Sequence, residues 1–250
     1  MRARHQTVIN LVFLIAALLY LLTFSCSSAF SGQVKSNRAE SQETNNIKHA
    51  GEIRFNAEVM PLSEEMKNKM NGVTFRPGCP VPLSDLVLIR VDYHGFDHKI
   101  HHGQLVVHKK VGPELIEIFR DIFNAGFPID KIKPASDYNG NDDASMADDN
   151  TSAFNCRPVT GGKRFSAHAY GLAIDINPML NPYIKGKIVE PQNGKIYSNR
   201  RLKRPGMIRK PGPVYKAFTS RGWKWGGSWH TLKDYQHFEF PLENLASKLE

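Results

Sequence analysis

Cysteine is scarce in this 250-residue chain, with three in all, and Cys26 falls in an N-terminal stretch that reads as an export signal. That leaves Cys79 and Cys156, enough for one disulfide and too few for a framework of them. Two small buried hydrophobes are the other reading of the same pair. Acidic residues are absent from residues 1–29 and again from residues 191–233, where eleven Lys or Arg stand without a counter-charge. That basic stretch carries no nucleic-acid recognition motif, so no nucleic-acid partner is expected, and its Gly and Pro content makes it loop-like. No internal repeat is present. A calcium loop fits the acidic run 137–150 poorly: Asp137, Asn139 and Asn141 match one, but Asp142 stands where the loop needs Gly and Asp148 where it needs Glu. A solvated loop is expected there.

What is present describes an exported globular protein. Arg2 and Arg4 precede an apolar run from Val8 to Phe24, and Ser27-Ser28-Ala29 supplies small residues for cleavage. An uncleaved membrane anchor and a lipid-modified Cys26 are the alternatives, and all three place the rest of the chain outside the cytoplasm. Residues 30–52 are polar without apolar periodicity and read as a flexible linker. Residues 53–250 then form one domain, in keeping with 41% hydrophobic and 23% charged residues. The net charge of +9 falls to +7 when Arg2 and Arg4 leave with residues 1–29. A basic protein suits a polyanionic surface such as a cell wall. A monomer is expected.

Ser63 caps a short helix holding Met66 and Met70, closed by Gly72. Leu86–Tyr93 and Gln104–Val107 are strands by their Val, Ile and Leu content, joined across Gly95–Gly103, with His98, His101 and His102 in the connection and His94 just before it. Pro113 opens a helix whose Leu115, Ile118, Phe119, Ile122 and Phe123 form a core stripe, ended by Gly126 and Pro128. Gly171–Ile176 and Tyr235–Phe240 alternate as strands.

Catalytic zinc takes three protein ligands from His, Asp, Glu or Cys and keeps one position open. Asp175 lies on the first of the late strands, where Gly171 and Ala173 leave room for a metal. His168 lies seven residues earlier, and His237 sits between aromatic neighbours, where a lone polar side chain needs a partner. Asp175 and His237 face each other if their strands are neighbours. Asp234, three residues before His237, is placed to take a proton from water that a metal acidifies and to pass it on. Arg157 is a candidate for stabilising the developing oxyanion. Singly, each is more often a surface or capping residue; the joint arrangement carries the reading.

Ser166-Ala-His168-Ala-Tyr-Gly171-Leu-Ala173-Ile-Asp175 resembles the S-x-H-x-x-G-x-A-x-D signature of the D-alanyl-D-alanine carboxypeptidase family. Asp234-Tyr-Gln-His237, preceded by Trp225-Gly-Gly-Ser-Trp229, resembles its second motif. The resemblance covers roughly Cys79 to Phe240. It implies an α+β fold, a small antiparallel sheet with helices packed on one side, as in hedgehog-like and D,D-peptidase domains. It further implies Zn2+ held by His168, Asp175 and His237, Asp234 as general base, Arg157 on the substrate carbonyl and Ser166 orienting the loop. The substrate implied is a peptidoglycan stem peptide or another D-amino-acid peptide, cut as a carboxypeptidase or as an endopeptidase. A non-catalytic zinc-containing wall-binding domain of the same fold is the alternative.

Overall fold

The computed structural model describes residues 54–159 and 162–246. The leader over 1–29 and the linker over 30–52 lie outside the described residues. Among the described residues, no helix is long and apolar enough to cross a membrane.

In chain order the elements are β1 (Ala57–Pro61), α1 (Glu64–Met70), β2 (Leu86–His94), β3 (Ile100–His108), α2 (Gly112–Asn124) and β4 (Lys131–Ile132). Then come α3 (Asp142–Ala147), β5 (Asn150–Thr151), β6 (Ala173–Asp175), β7 (Tyr183–Lys185) and β8 (Ile188–Glu190). The chain closes with α4 (Pro213–Thr219), β9 (Lys224–Trp225), β10 (Lys233–Asp234) and β11 (His237–Glu239). The class is α+β. Its antiparallel pairing is shared among three sheets, ordered β1-β2-β3, β6-β11-β9 and β10-β7-β8, with a two-residue parallel pair β4-β5 beside them.

The first sheet is a hairpin with an added edge. β2 pairs with β3 from Leu86↔His108 to His94↔Ile100, so the connection between them is only Gly95–Lys99. His101 and His102 therefore belong to β3, not to a loop. Alternation along β2 serves both faces. Ile89 and Val91 enter the main core with Leu115, Ile118, Phe119 and Ile122 of α2, whose predicted stripe is entirely buried. Leu86 and Leu88 point the other way, into a smaller cluster with Leu62, Met70, Val106 and Cys156. Ser63 caps α1 as expected, its hydroxyl accepting from the Met66 amide at 3.1 Å. Phe218 of α4 stacks on Phe238 of β11 with ring centroids 4.2 Å apart, which joins the late sheet to the same core.

Three expectations need correction. The acidic run 137–150 is folded: Asn141 caps α3 by accepting from the Ala144 amide at 3.0 Å, and Asn150 enters β5. The basic stretch 191–233 contains α4, started by Pro213, and β9. It is also tied down by Arg200, which donates to Leu180 O at 2.9 Å and Ile208 O at 2.6 Å and lies 4.3 Å over the Tyr235 ring. The strands over 171–176 and 235–240 are shorter than their alternation suggests: β6 begins at Ala173 because Gly171 and Leu172 belong to the turn that delivers His168, and β11 spans only His237–Glu239.

Cys79 and Cys156 form a disulfide, which decides between the two readings of the pair. It links the loop after α1 to the segment that carries Arg157.

Candidate metal centre

His168 lies in a 3-10 turn over Ala167–Tyr170, capped by Ser166, whose hydroxyl accepts from the His168 amide at 3.4 Å. Gly171 ends the turn at φ +68°, a left-handed conformation that L side chains seldom adopt. A Cβ there would also stand 2.6 Å from His108 N, an atom that donates to Gly171 O at 2.9 Å. The motif glycine is thus needed for the turn and for its close approach to β3, not to leave room for a metal.

β6 then carries Asp175 alongside β11, and the register sets His237 directly opposite Asp175. His168 Nε2 is 3.1 Å from Asp175 Oδ2 and 3.2 Å from His237 Nδ1, and His237 Nδ1 is 2.9 Å from Asp175 Oδ1. All three donor atoms lie within 4.8 Å of one another, in side chains 4%, 13% and 7% exposed. Two imidazoles and one carboxylate converging in this way are the donor chemistry of a three-ligand zinc site. Among the described residues no other three His, Cys, Asp or Glu converge so, the histidines at 94, 98, 101 and 102 included.

The outward nitrogens fit the same use. His168 Nδ1 donates to Ala153 O at 2.6 Å, which leaves its Nε2 lone pair facing inward. His237 Nε2 faces Glu239 Oε2 at 3.5 Å, with Nδ1 turned to the trio. Burial opposes charge on Asp175, yet His168 and His237 hold its carboxyl well below the usual range.

Asp234 closes β10 and pairs with Tyr183 of β7, at the edge of the trio. Its Oδ1 is buried and has no hydrogen-bond partner among the described residues. Burial pushes its carboxyl up to about 7; His237, His168 and Arg157 pull against this, and Asp175 adds to it. Gly226 makes the approach possible. A Cβ there would lie 2.8 Å from Asp234 Cβ and 3.3 Å from His237 Cβ. The half-buried Trp229 ring, 5.4 Å from that of His237, forms a wall on the same side.

Arg157 reaches the site from the disulfide-linked segment. Its carbonyl accepts from the Ser166 amide at 3.0 Å, and Asn155 N donates to His168 O at 3.3 Å, so the Arg157 and His168 segments run side by side. The Arg157 guanidinium pairs with Asp142 of α3. Sequence reasoning missed Asp142 because it lay in a run taken for solvent. An Asn followed by two Asp, the pattern of a capped helix start, was the signal available.

These motif residues decide the comparison with known families, where one family model matches. Residues 160–240 match the D-alanyl-D-alanine carboxypeptidase family. The match agrees with the resemblance read from the two motifs, and it supports a peptidase. It contains His168, Asp175, Asp234 and His237, while Arg157 and Asp142 lie before the segment that the carboxypeptidase family model covers. No curated protein and no solved structure matches the chain.

Proposed function

We propose that this chain is an exported zinc peptidase that hydrolyses peptidoglycan stem peptides. The observation that carries the reading is a buried, unpartnered carboxylate oxygen on Asp234 beside a buried His-Asp-His trio. A buried carboxylate oxygen left without a hydrogen bond is costly unless it has a use. His168 Nε2, an Asp175 oxygen and His237 Nδ1 would hold Zn2+, which supplies Lewis-acid activation of water and of the scissile carbonyl.

The protein's own groups supply the rest. Asp234 accepts a proton from the attacking water and returns it to the amine nitrogen as the amide C–N bond breaks. Its elevated pKa suits a group that must both take and give that proton near neutral pH. Arg157 supplies positive charge for the oxyanion. Trp229 limits access by bulk water. The disulfide supports export, since such bonds persist in oxidising compartments. The retained base separates this reading from a non-catalytic wall-binding domain, which has no need of a carboxylate beside the trio.

The test is digestion of purified peptidoglycan by the zinc-loaded protein, with fragments identified by mass. Fragments carrying a newly cut stem peptide are expected, and a chelator should abolish them. His168→Ala and His237→Ala should each lose zinc, because each removes one of three protein donors. Full zinc occupancy in both variants would refute the ligand set. A zinc-loaded protein that binds walls and releases nothing would favour the binding domain.

A further inference from the structure

One residue of the acidic run that sequence alone assigns to solvent pairs with the proposed catalytic arginine. We infer that Asp142 is the positioning residue of Arg157, fixing where its guanidinium meets the substrate carbonyl. The inference rests on the peptidase reading above and adds a residue that neither sequence motif contains.

Asp142 is the first residue of α3, held there by the Asn141 cap. One carboxylate oxygen, Oδ1, accepts from Asn155 Nδ2 at 2.7 Å, and the other, Oδ2, pairs with Arg157 Nε. Asn155 Nδ2 also donates to Gly140 O at 3.1 Å, and Asn155 itself is buried. Asn155, Cys156 and Arg157 are consecutive. The first anchors Asp142, the second is tied to Cys79, and the third is paired by Asp142.

The atoms engaged leave the guanidinium one free edge. Nε lies against Asp142 as an ion pair without a hydrogen bond, its buried N–H aimed at no acceptor among the described residues, and Nη1 donates to Pro158 O at 3.3 Å. Nη2 has no protein partner among the described residues, and the side chain is 31% exposed. A planar guanidinium with a carboxylate against one edge presents its outer nitrogen at the other. Without Asp142 the same side chain would keep its charge and lose its aim. Misplacement of a catalytic group by about 1 Å can cost on the order of 10²-fold in rate.

A double-mutant cycle on the zinc-loaded protein tests this, with turnover of soluble muropeptides as the readout. Asp142→Ala should lower kcat by about 10- to 100-fold with zinc content retained. Asp142→Asn keeps an acceptor for Asn155 and should fall between it and the parent. In an Arg157→Ala background, Asp142→Ala should cost nothing further, because the group it aims is gone. An equal loss in both backgrounds would make Asp142 merely structural and overturn the inference, as would unchanged kcat in Asp142→Ala. The Arg157 Nε–H resonance gives a readout independent of turnover: its chemical shift should move when Asp142→Ala removes the facing carboxylate. An unchanged shift would overturn the pairing. If the parent protein hydrolyses nothing, the peptidase reading falls and so does this role, and the resonance then reports an ion pair that serves the fold alone.

Discussion

His168 and His237 turn different nitrogens inward, Nε2 from one and Nδ1 from the other, and in each case the outward nitrogen faces an oxygen. Such outer partners fix which nitrogen carries the proton, and so which lone pair is offered to a metal. Asp234 differs: its buried Oδ1 has no hydrogen-bond partner among the described residues. Asp234→Asn should therefore keep zinc and fold while turnover falls by about 10²–10⁴-fold, since an amide cannot take the proton. Zinc measurement beside a muropeptide assay checks both halves. Lost zinc would make Asp234 a ligand, and normal turnover would move the base to another carboxylate, Glu239 being the neighbour to examine. Asp149 is a second buried carboxyl with a different consequence. It is 4% exposed, sits at φ +51° and accepts from Met179 N at 2.8 Å. Burial pushes it up to about 6, against the Met179 and Leu180 amides. The folded state thus holds this proton more tightly than the unfolded chain does, so stability declines as pH rises from about 4 to 6 and stays lower above. Asp149→Asn keeps the acceptor and tolerates the left-handed backbone. It should raise stability at pH 7 by on the order of 2 kcal/mol, and give little or no gain at pH 4. Melting curves at the two pH values check it, and an equal gain at both would exclude the carboxyl's charge as the cause.

At the scale of elements, the disulfide and the α3 start brace one segment, residues 155–157, from two sides. The disulfide closes a sequence separation of 77 residues, and a crosslink of that span is worth roughly 4.5 kcal/mol through the unfolded state. Cys79→Ser with Cys156→Ser should lower the melting temperature by about 10 °C. Turnover at low temperature should also fall, because Arg157 follows Cys156 directly. A large thermal loss with unchanged turnover would show that Asp142 alone suffices to aim Arg157. Legibility in the sequence followed element type. The α2 stripe and the β2–β3 pair could be read because each buries a periodic face, and periodicity survives without tertiary information. The trio could be read because Gly171, Ala173 and Asp175 keep fixed spacing along one turn and strand, and the structure then set His237 opposite Asp175. α3 and α4 escaped because six- and seven-residue helices show under two turns of pattern, and α3 is polar on most of its surface. The Asp142–Arg157 pair joins positions 15 apart across a fold, and no local pattern encodes that contact.

Over the whole molecule, the positive charge and the metal trio occupy different parts of the chain. Within the basic stretch, Lys195, Arg201, Lys203, Arg204, Lys210, Lys216 and Lys224 are exposed, and among the described residues only Lys224 of these pairs with an acid. Arg200, by contrast, is spent on holding the stretch to Leu180 and Ile208. On the proposed reading, the exposed cations would meet an anionic wall while the trio and Asp234 act on a peptide bond. These two roles respond differently to salt. Attraction between surface charges is screened within about 8 Å at physiological ionic strength and about 3 Å at 1 M. Chemistry at a buried trio is far less screened. Binding of the protein to isolated walls should therefore weaken steeply between 50 mM and 500 mM salt, as followed by co-sedimentation. Turnover of a short soluble muropeptide should change little over the same range. Replacing Lys203, Arg204 and Lys210 with Gln should flatten the salt dependence of wall binding and leave soluble turnover intact. If soluble turnover falls in parallel with wall binding, the basic stretch contributes to the peptide site itself. If wall binding is insensitive to salt, recognition of the wall runs through the peptide-binding site and the surface charge has no part in it.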